Sequence, residues 1–218
     1  MNEIILLGQI GTVVAACLFA AKLGKEALFI IISLQAIIAN LLVLKQTYLF
    51  GLHVTCSDAF AVGSILSLNL LQEKFGAKES KLATWLCFGS MLFFALCTQI
   101  HLLYTPSPTD TMHPHYAELL NPAPRLFWAS LTSFFLVQQF DVRFYGFLKR
   151  KLPTWRFGVR STISLLLSQL LDTFLFSTLG LWGLVDSLPQ IFIFSYLMKV
   201  IVIAIMGITP YLLPRHKL

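Results

Sequence analysis

Seven stretches of this chain are apolar for roughly 18 to 23 residues each, the length an α-helix needs to cross a hydrocarbon core about 30 Å thick. They run near Ile4 to Ala21, Ala27 to Leu44, Thr55 to Leu71, Leu82 to Tyr104, Leu126 to Phe147, Val159 to Gly180 and Pro189 to Leu212. Spanning strands would need a closed barrel and would alternate in polarity over about ten residues, and these runs do not. Of 218 residues, 57% are hydrophobic and 12% charged, against about 25% charged in soluble domains, which excludes a water-soluble fold. The expected class is all-α, a polytopic transmembrane helix bundle of six to seven spans. No repeat and no soluble second domain is evident, since the longest connection, Thr105 to Arg125, has only about twenty residues. Residues 1–218 are therefore expected to form a single integral membrane domain.

The formal charge of +6 could suggest nucleic acid, but its distribution has a topological explanation. Lys22 and Lys25 follow the first span, and Lys74, Lys78 and Lys81 follow the third. Arg143, Lys149, Arg150, Lys151, Arg156 and Arg160 surround the fifth connection, and Arg215 and Lys217 close the chain. These segments alternate, so all fall on one side, while the other side keeps Lys45 and Arg125. The positive-inside rule then predicts an external N-terminus and a cytoplasmic C-terminus, with multi-pass placement in the cell inner membrane and no nucleic-acid partner. Val14-Ala15-Ala16-Cys17 resembles a lipoprotein cleavage site, but Asn2 and Glu3 stand where a signal peptide has positive charge, so the first helix is expected to be uncleaved. Cys56, Cys87 and Cys97 also fall in spans without metal-ligand spacing and read as packing residues.

Function is legible in the polar groups inside the spans, because an ionised side chain at the bilayer centre costs about 2.5–3.5 kcal/mol or more unless it faces a cavity or a partner. In span three Asp58, Asn69 and Glu73 fall within about 60° of one another at helical periodicity. That stripe, about 22 Å long, is expected to line a path. Span six carries Ser161, Ser164, Ser168 and Asp172 on one face, with Gln169 beside it, and span seven has Tyr196 and Lys199. Asp172 and Lys199 lie at matched depth on consecutive antiparallel spans, which predicts an ion pair. Asn40 and Lys45 belong to span two and its end, and Gln138, Gln139 and Asp141 to span five. Carboxylates, amides and a lysine spread over several helices among 19 phenylalanines suit a flat heterocycle, whose edge they can bond while aromatic rings cover its faces.

The order of these groups resembles the queuosine-precursor transporter family, also called the vitamin uptake transporter family. The resemblance runs from about Leu34 to Pro210 and rests on Asn40, Lys45 and Asp58, then Gln72-Glu73-Lys74-Phe75-Gly76. It continues through Gln138-Gln139-Phe140-Asp141, then Ser161, Gln169, Asp172, Phe176, Tyr196 and Lys199. What it implies is uptake of a 7-deazaguanine base for tRNA modification, such as 7-cyano-7-deazaguanine, its aminomethyl analogue or queuine. The family is usually drawn with about six helices, so a seventh, the first span, is a departure.

On this reading Asn40, Asp58, Glu73, Gln169, Asp172 and Lys199 are the candidate substrate-binding residues. Lys45, Asn69, Gln138, Gln139, Asp141 and Tyr196 are candidates for path or coupling. Solute would meet Asn40, Asp58, Asp172 and Lys199 in the outer half and leave past Asp141 and Glu73. No cofactor or metal is expected, nor enzymatic activity. The chain lacks GxxxxGK[ST], so any ATP-driven version, as a substrate-binding subunit, needs an energising partner. A homo-oligomer is also compatible. The rival class is a membrane-embedded lipid-modifying enzyme, whose support is Asp110, His113 and His115 in a proline-rich loop; two or three ligands without a second cluster make a poor catalytic centre.

Overall fold

The computed structural model describes residues 1–43, 45–49, 52–55, 57–120, 124–183 and 188–207. Cys56, Arg215 and Lys217, and with them the C-terminus, lie outside the described residues. The elements are α1 (Asn2–Leu23), α2 (Lys25–Leu42), β1 (Gln46–Leu49), β2 (Leu52–Thr55), α3 (Asp58–Phe75) and α4 (Ala77–Leu102). They continue with α5 (His113–Leu120), α6 (Pro124–Lys151), α7 (Phe157–Phe176) and α8 (Leu188–Gly207). Seven of the described helices have 18 residues or more, one for each apolar run, and α5 is the short exception. Beyond Phe176, α7 widens into a π-helical turn over Ser177–Leu181.

Two of the reversals between long helices use a single glycine at positive φ, Gly24 (133°) between α1 and α2 and Gly76 (90°) between α3 and α4. Backbone in that region strains any residue with a Cβ. The basic connections share one end of the bundle. Lys74 Nζ donates to the Ala21 carbonyl at 2.9 Å, Lys25 pairs with Glu79 at 3.3 Å, and Lys149 pairs with Glu73 at 3.3 Å. At the opposite end Asn2 donates to Thr47 Oγ1 and the Tyr48 carbonyl, at 3.0 and 2.9 Å.

Five helices are long and apolar enough by composition to cross a membrane, and α3 and α6 are long but more polar. The reason differs for α3, which is the hub: it packs against α1, α2, α4, α6, α7 and α8. Every residue from Val62 to Gln72 is buried. A helix wrapped by protein on all sides can carry Ser64, Ser67, Asn69 and Gln72 because its neighbours, not lipid, meet them. The outer helices show the converse, with Phe93 and Ile100 of α4 and Ile193 of α8 exposed on the bundle surface.

Two sequence expectations change here. The third span does not begin at Thr55, because Gln46–Leu49 and Leu52–Thr55 pair as an antiparallel hairpin, with Gln46 opposite Thr55 and Tyr48 opposite His53. Thr47, Tyr48, Val54 and Thr55 are β-branched or aromatic, which favours that pairing. The loop carrying Asp110, His113 and His115 also contains α5. There Asp110 Oδ1 accepts the backbone N–H groups of Met112 and His113 at 2.8 and 3.2 Å, so the carboxylate caps a helix start.

The tightest approach to α3 is at Gly63, where an added Cβ would overlap Gln35 Oε1 and Val13 Cγ1. Gly63→Leu is expected to destabilise the fold by about 1–3 kcal/mol or more, as overpacking does. At Gly89 a Cβ meets nothing within 4 Å, so Gly89→Leu should leave thermal unfolding in detergent unchanged. Equal effects of the two changes would contradict the α1–α2–α3 packing described.

Candidate functional site

At the less basic end the helices part around a cavity of about 810 Å³, within the range of small-molecule sites. Its wall includes Asn40 from α2, Asp58 from the start of α3, Asp172 from α7 and Lys199 from α8. The ion pair expected between the last two is present, with Lys199 Nζ donating to Asp172 Oδ2 at 2.5 Å. Lys199 is 5% exposed, so the pair offsets a charge that could not otherwise lie there. Asp58 lies within electrostatic reach of both partners and makes no ion pair of its own among the described residues. As a first-turn residue it also sits where a helix N-terminus favours negative charge. With both acids ionised, two carboxylates face one ammonium, and the group carries a net charge of about −1.

The remaining wall is aromatic and hydroxylic. Phe94, Phe127, Trp128, Phe134, Phe176 and Phe194 supply ring faces, and Ser57, Ser130, Thr173, Ser177 and Ser195 supply hydroxyls. Asn40 is oriented by two bonds: Ser130 donates to its Oδ1, and its Nδ2 donates to the Ala36 carbonyl at 3.0 Å. One amide hydrogen of Asn40 is left for a solute acceptor. Leu119 and Leu120 of α5 join the wall, with Gln99 Nε2 held on the Leu120 carbonyl at 2.9 Å. The π-helical turn contributes Ser177 and Leu181.

Below the cavity the seam between α3, α6 and α7 is polar but packed. Ser164 and Ser168 both donate to Asp141 Oδ1, at 2.6 and 2.7 Å. Asn69 Nδ2 donates to Ser161 Oγ at 3.3 Å, and Gln72 Nε2 to the Val142 carbonyl at 2.9 Å. At the basic end Glu73 gathers three donors. Tyr145 donates to its Oε2 at 2.7 Å, Arg160 to its Oε1 at 2.8 Å, and Lys149 to its main-chain carbonyl at 2.8 Å, with the ammonium 3.3 Å from Oε2. That cluster ties α3 to α6 and α7.

Of the six substrate-binding candidates, the structure brings Asn40, Asp58, Asp172 and Lys199 to one cavity and leaves Glu73 and Gln169 outside its wall. The stripe expected on α3 does not form one lining: Asp58 opens to the cavity, whereas Asn69 and Glu73 bond to α6 and α7 because α3 is the central helix. Lys45 is exposed at the bundle end. Gln138 Nε2 lies 3.5 Å from both Ser64 Oγ and Cys87 Sγ, and Gln139 bonds Thr84 at 2.6 Å. Tyr196 donates to the Leu166 carbonyl at 3.2 Å. Ser130, Thr173 and Ser195 were missed by sequence reasoning, and only the helical register of Thr173 beside Asp172 signals its place.

Residues 59–213 match the family described as "Putative vitamin uptake transporter". The chain belongs to this vitamin uptake transporter family. It is also 33% identical over 185 residues to a protein of Bacillus subtilis (strain 168) named "Probable queuosine precursor transporter", covering 84% of this chain and 81% of that one. No solved structure is significantly similar to it. Membership of this transporter family, together with the apolar helices, makes the chain a multi-pass membrane protein. The family match begins after Asn40 and Asp58, so those two cavity residues stand before it.

Proposed function

We propose that this transporter imports a queuosine precursor, a 7-deazaguanine base such as 7-cyano-7-deazaguanine, its aminomethyl analogue or queuine, for tRNA modification. The observation that carries the reading is the convergence of Asn40, Asp58, Asp172 and Lys199 on one aromatic-walled cavity. A guanine-like edge presents N–H donors beside a carbonyl acceptor. Asp58 or Asp172 takes the donors, as carboxylates take base amines, and Lys199 or Asn40 addresses the carbonyl. Phenylalanine faces cover the ring, each stack being worth about 1–3 kcal/mol in nucleobase binders. The name of the Bacillus subtilis relative supports the same solute class.

In this reading the basic end is cytoplasmic and the cavity end external, in the cell inner membrane, with the C-terminus inside. The chain acts as a carrier and not as an enzyme. Solute leaves past Asp141 and the Glu73 cluster when the inner ends of α3, α6 and α7 part. The excess carboxylate in the cavity favours the cationic aminomethyl base over the neutral nitrile, and Asp58→Asn is expected to reduce that preference about tenfold.

The test is growth and tRNA modification in a cell lacking its own synthesis and import of the precursor, with and without this chain. Modification restored by supplied 7-deazaguanines, but not by supplied guanine, is the expected result. Restoration by none of them overturns the solute assignment. Uptake into vesicles holding only this chain separates an autonomous carrier from a subunit that needs an ATPase, since the latter stays silent there.

A further inference from the structure

Asp141 is fully buried, yet it belongs neither to the solute cavity nor to an ion pair. Its Oδ1 accepts from two serines of α7, at 2.6 and 2.7 Å, and its Oδ2 is buried without any partner among the described residues. The titratable or charged groups nearest in register on the packed elements are committed elsewhere. Glu73 of α3 and Arg160 of α7 bond each other, and Asp172 of α7 is held by Lys199. Cys87 of α4 lies by Gln138 and the Ile32 carbonyl. A carboxylate so placed has no countercharge among the described residues, and burial of an unpaired anion is costly enough that such groups are neutralised.

Its position along α7 gives that neutralisation a use. Ser168 stands four residues from Asp172 at the cavity, and Ser164 stands four residues from Arg160 at the inner cluster, about 6 Å of helix rise in each direction. Asp141 therefore occupies the level between the solute cavity and the group that holds the basic end together. Resting on the transport reading above, we propose that Asp141, cradled by Ser164 and Ser168, is the coupling site of this carrier and takes one proton per transport cycle.

The proton comes from water on the cavity side and binds Asp141 Oδ2, giving a neutral carboxyl whose Oδ1 still accepts both serine hydroxyls. It leaves to the cytoplasmic side when the inner ends of the helices separate, restoring the carboxylate. A metal cation is the poorer occupant, since the four side-chain oxygens of Asp141, Ser164 and Ser168 are fewer than the six or so that hard cations take. Neutralisation lets the polar seam move through the closed intermediate, whereas the ionised form does not.

The test uses the full chain in lipid, as wild type, Asp141→Asn and Asp141→Glu. In an infrared pH titration the wild type is expected to show the carbonyl stretch of a protonated carboxyl that Asp141→Asn lacks and Asp141→Glu restores with a shifted midpoint. In proteoliposomes the neutral 7-cyano-7-deazaguanine is the probe. An inward gradient of one pH unit drives about tenfold accumulation at one proton per solute. Asp141→Asn is expected to lose accumulation, to about onefold, while keeping solute exchange, and Asp141→Glu to accumulate with a displaced pH profile. Accumulation by Asp141→Asn equal to wild type, accumulation driven by sodium instead of protons, or no difference in the infrared titration would each overturn the proposal. If the wild type moves no 7-cyano-7-deazaguanine, the solute assignment falls, and the infrared titration still decides whether Asp141 binds the proton.

Discussion

Replacing Lys199 with methionine is expected to lower uptake about a hundredfold and to destabilise the protein by about 3 kcal/mol. The side chain of Lys199 is 7% exposed and that of Asp172 18%, and 2.5 Å separates their charged atoms. Removing one partner leaves the other as an uncompensated charge, which typically costs about 3–5 kcal/mol in a protein interior. The lower figure applies because Asp172 keeps some access to the cavity. Asp172→Asn is expected to be harmful but less so, since Asp58 remains within electrostatic reach of the buried lysine. The informative variant is the double change, Asp172→Asn with Lys199→Met. It removes both charges, so stability should return to within about 1 kcal/mol of wild type. Uptake should stay at least about tenfold low, because the groups that meet the solute are gone. Thermal unfolding in detergent and initial uptake rates separate the two effects. A double variant that transports like wild type would make the pair a helix clamp and remove it from the solute site.

How much of this was legible in the sequence follows from what each signal measures. Length and apolarity report whether a segment can cross the membrane, and all seven runs became long helices. Depth is also readable, since rise per residue is fixed, and that is why Asp172 and Lys199 could be matched across α7 and α8. Periodicity, however, reports only which residues share a face, and not what that face touches. Asn69 and Glu73 do share a side of α3 with Asp58, but the helix is enclosed, so the stripe bonds α6 and α7 below the level where the cavity opens. Ser130 carries no such signal: it is one hydroxyl in an aromatic run, and its role depends on Asn40 arriving from α2. The β1–β2 hairpin was hidden because all of its residues but Thr55 fall in the short connection between the second and third apolar runs, and two strands of four residues are too short for their alternation to stand out.

Glu73→Gln is expected to open the basic end. In the described conformation Glu73 accepts from Tyr145 and Lys149 of α6 and from Arg160 of α7, so one carboxylate joins three helices. Glutamine keeps one acceptor oxygen but no charge. Arg160, whose side chain is 6% exposed, would then keep its bond to the Leu152 carbonyl at 3.3 Å but lose its carboxylate partner. Hydrogen bonds to charged groups contribute about 1.5–3 kcal/mol each, so losing the charge-assisted bond to Arg160 alone moves a closed-to-open equilibrium by about 10- to 150-fold. Ser161, buried one residue beyond Arg160, reports that movement. A Ser161→Cys reporter should react about tenfold or more faster with an impermeant thiol reagent applied from the basic end when Glu73→Gln is present. Solute accumulation should fall with it, because a carrier whose inner end stays open returns what it takes up. Lower thermal stability with an unchanged labelling rate would mean that Glu73 only fastens the helices. Faster labelling with unaltered unfolding would instead place its contribution in the difference between the closed and open conformations, which is where a gate must act.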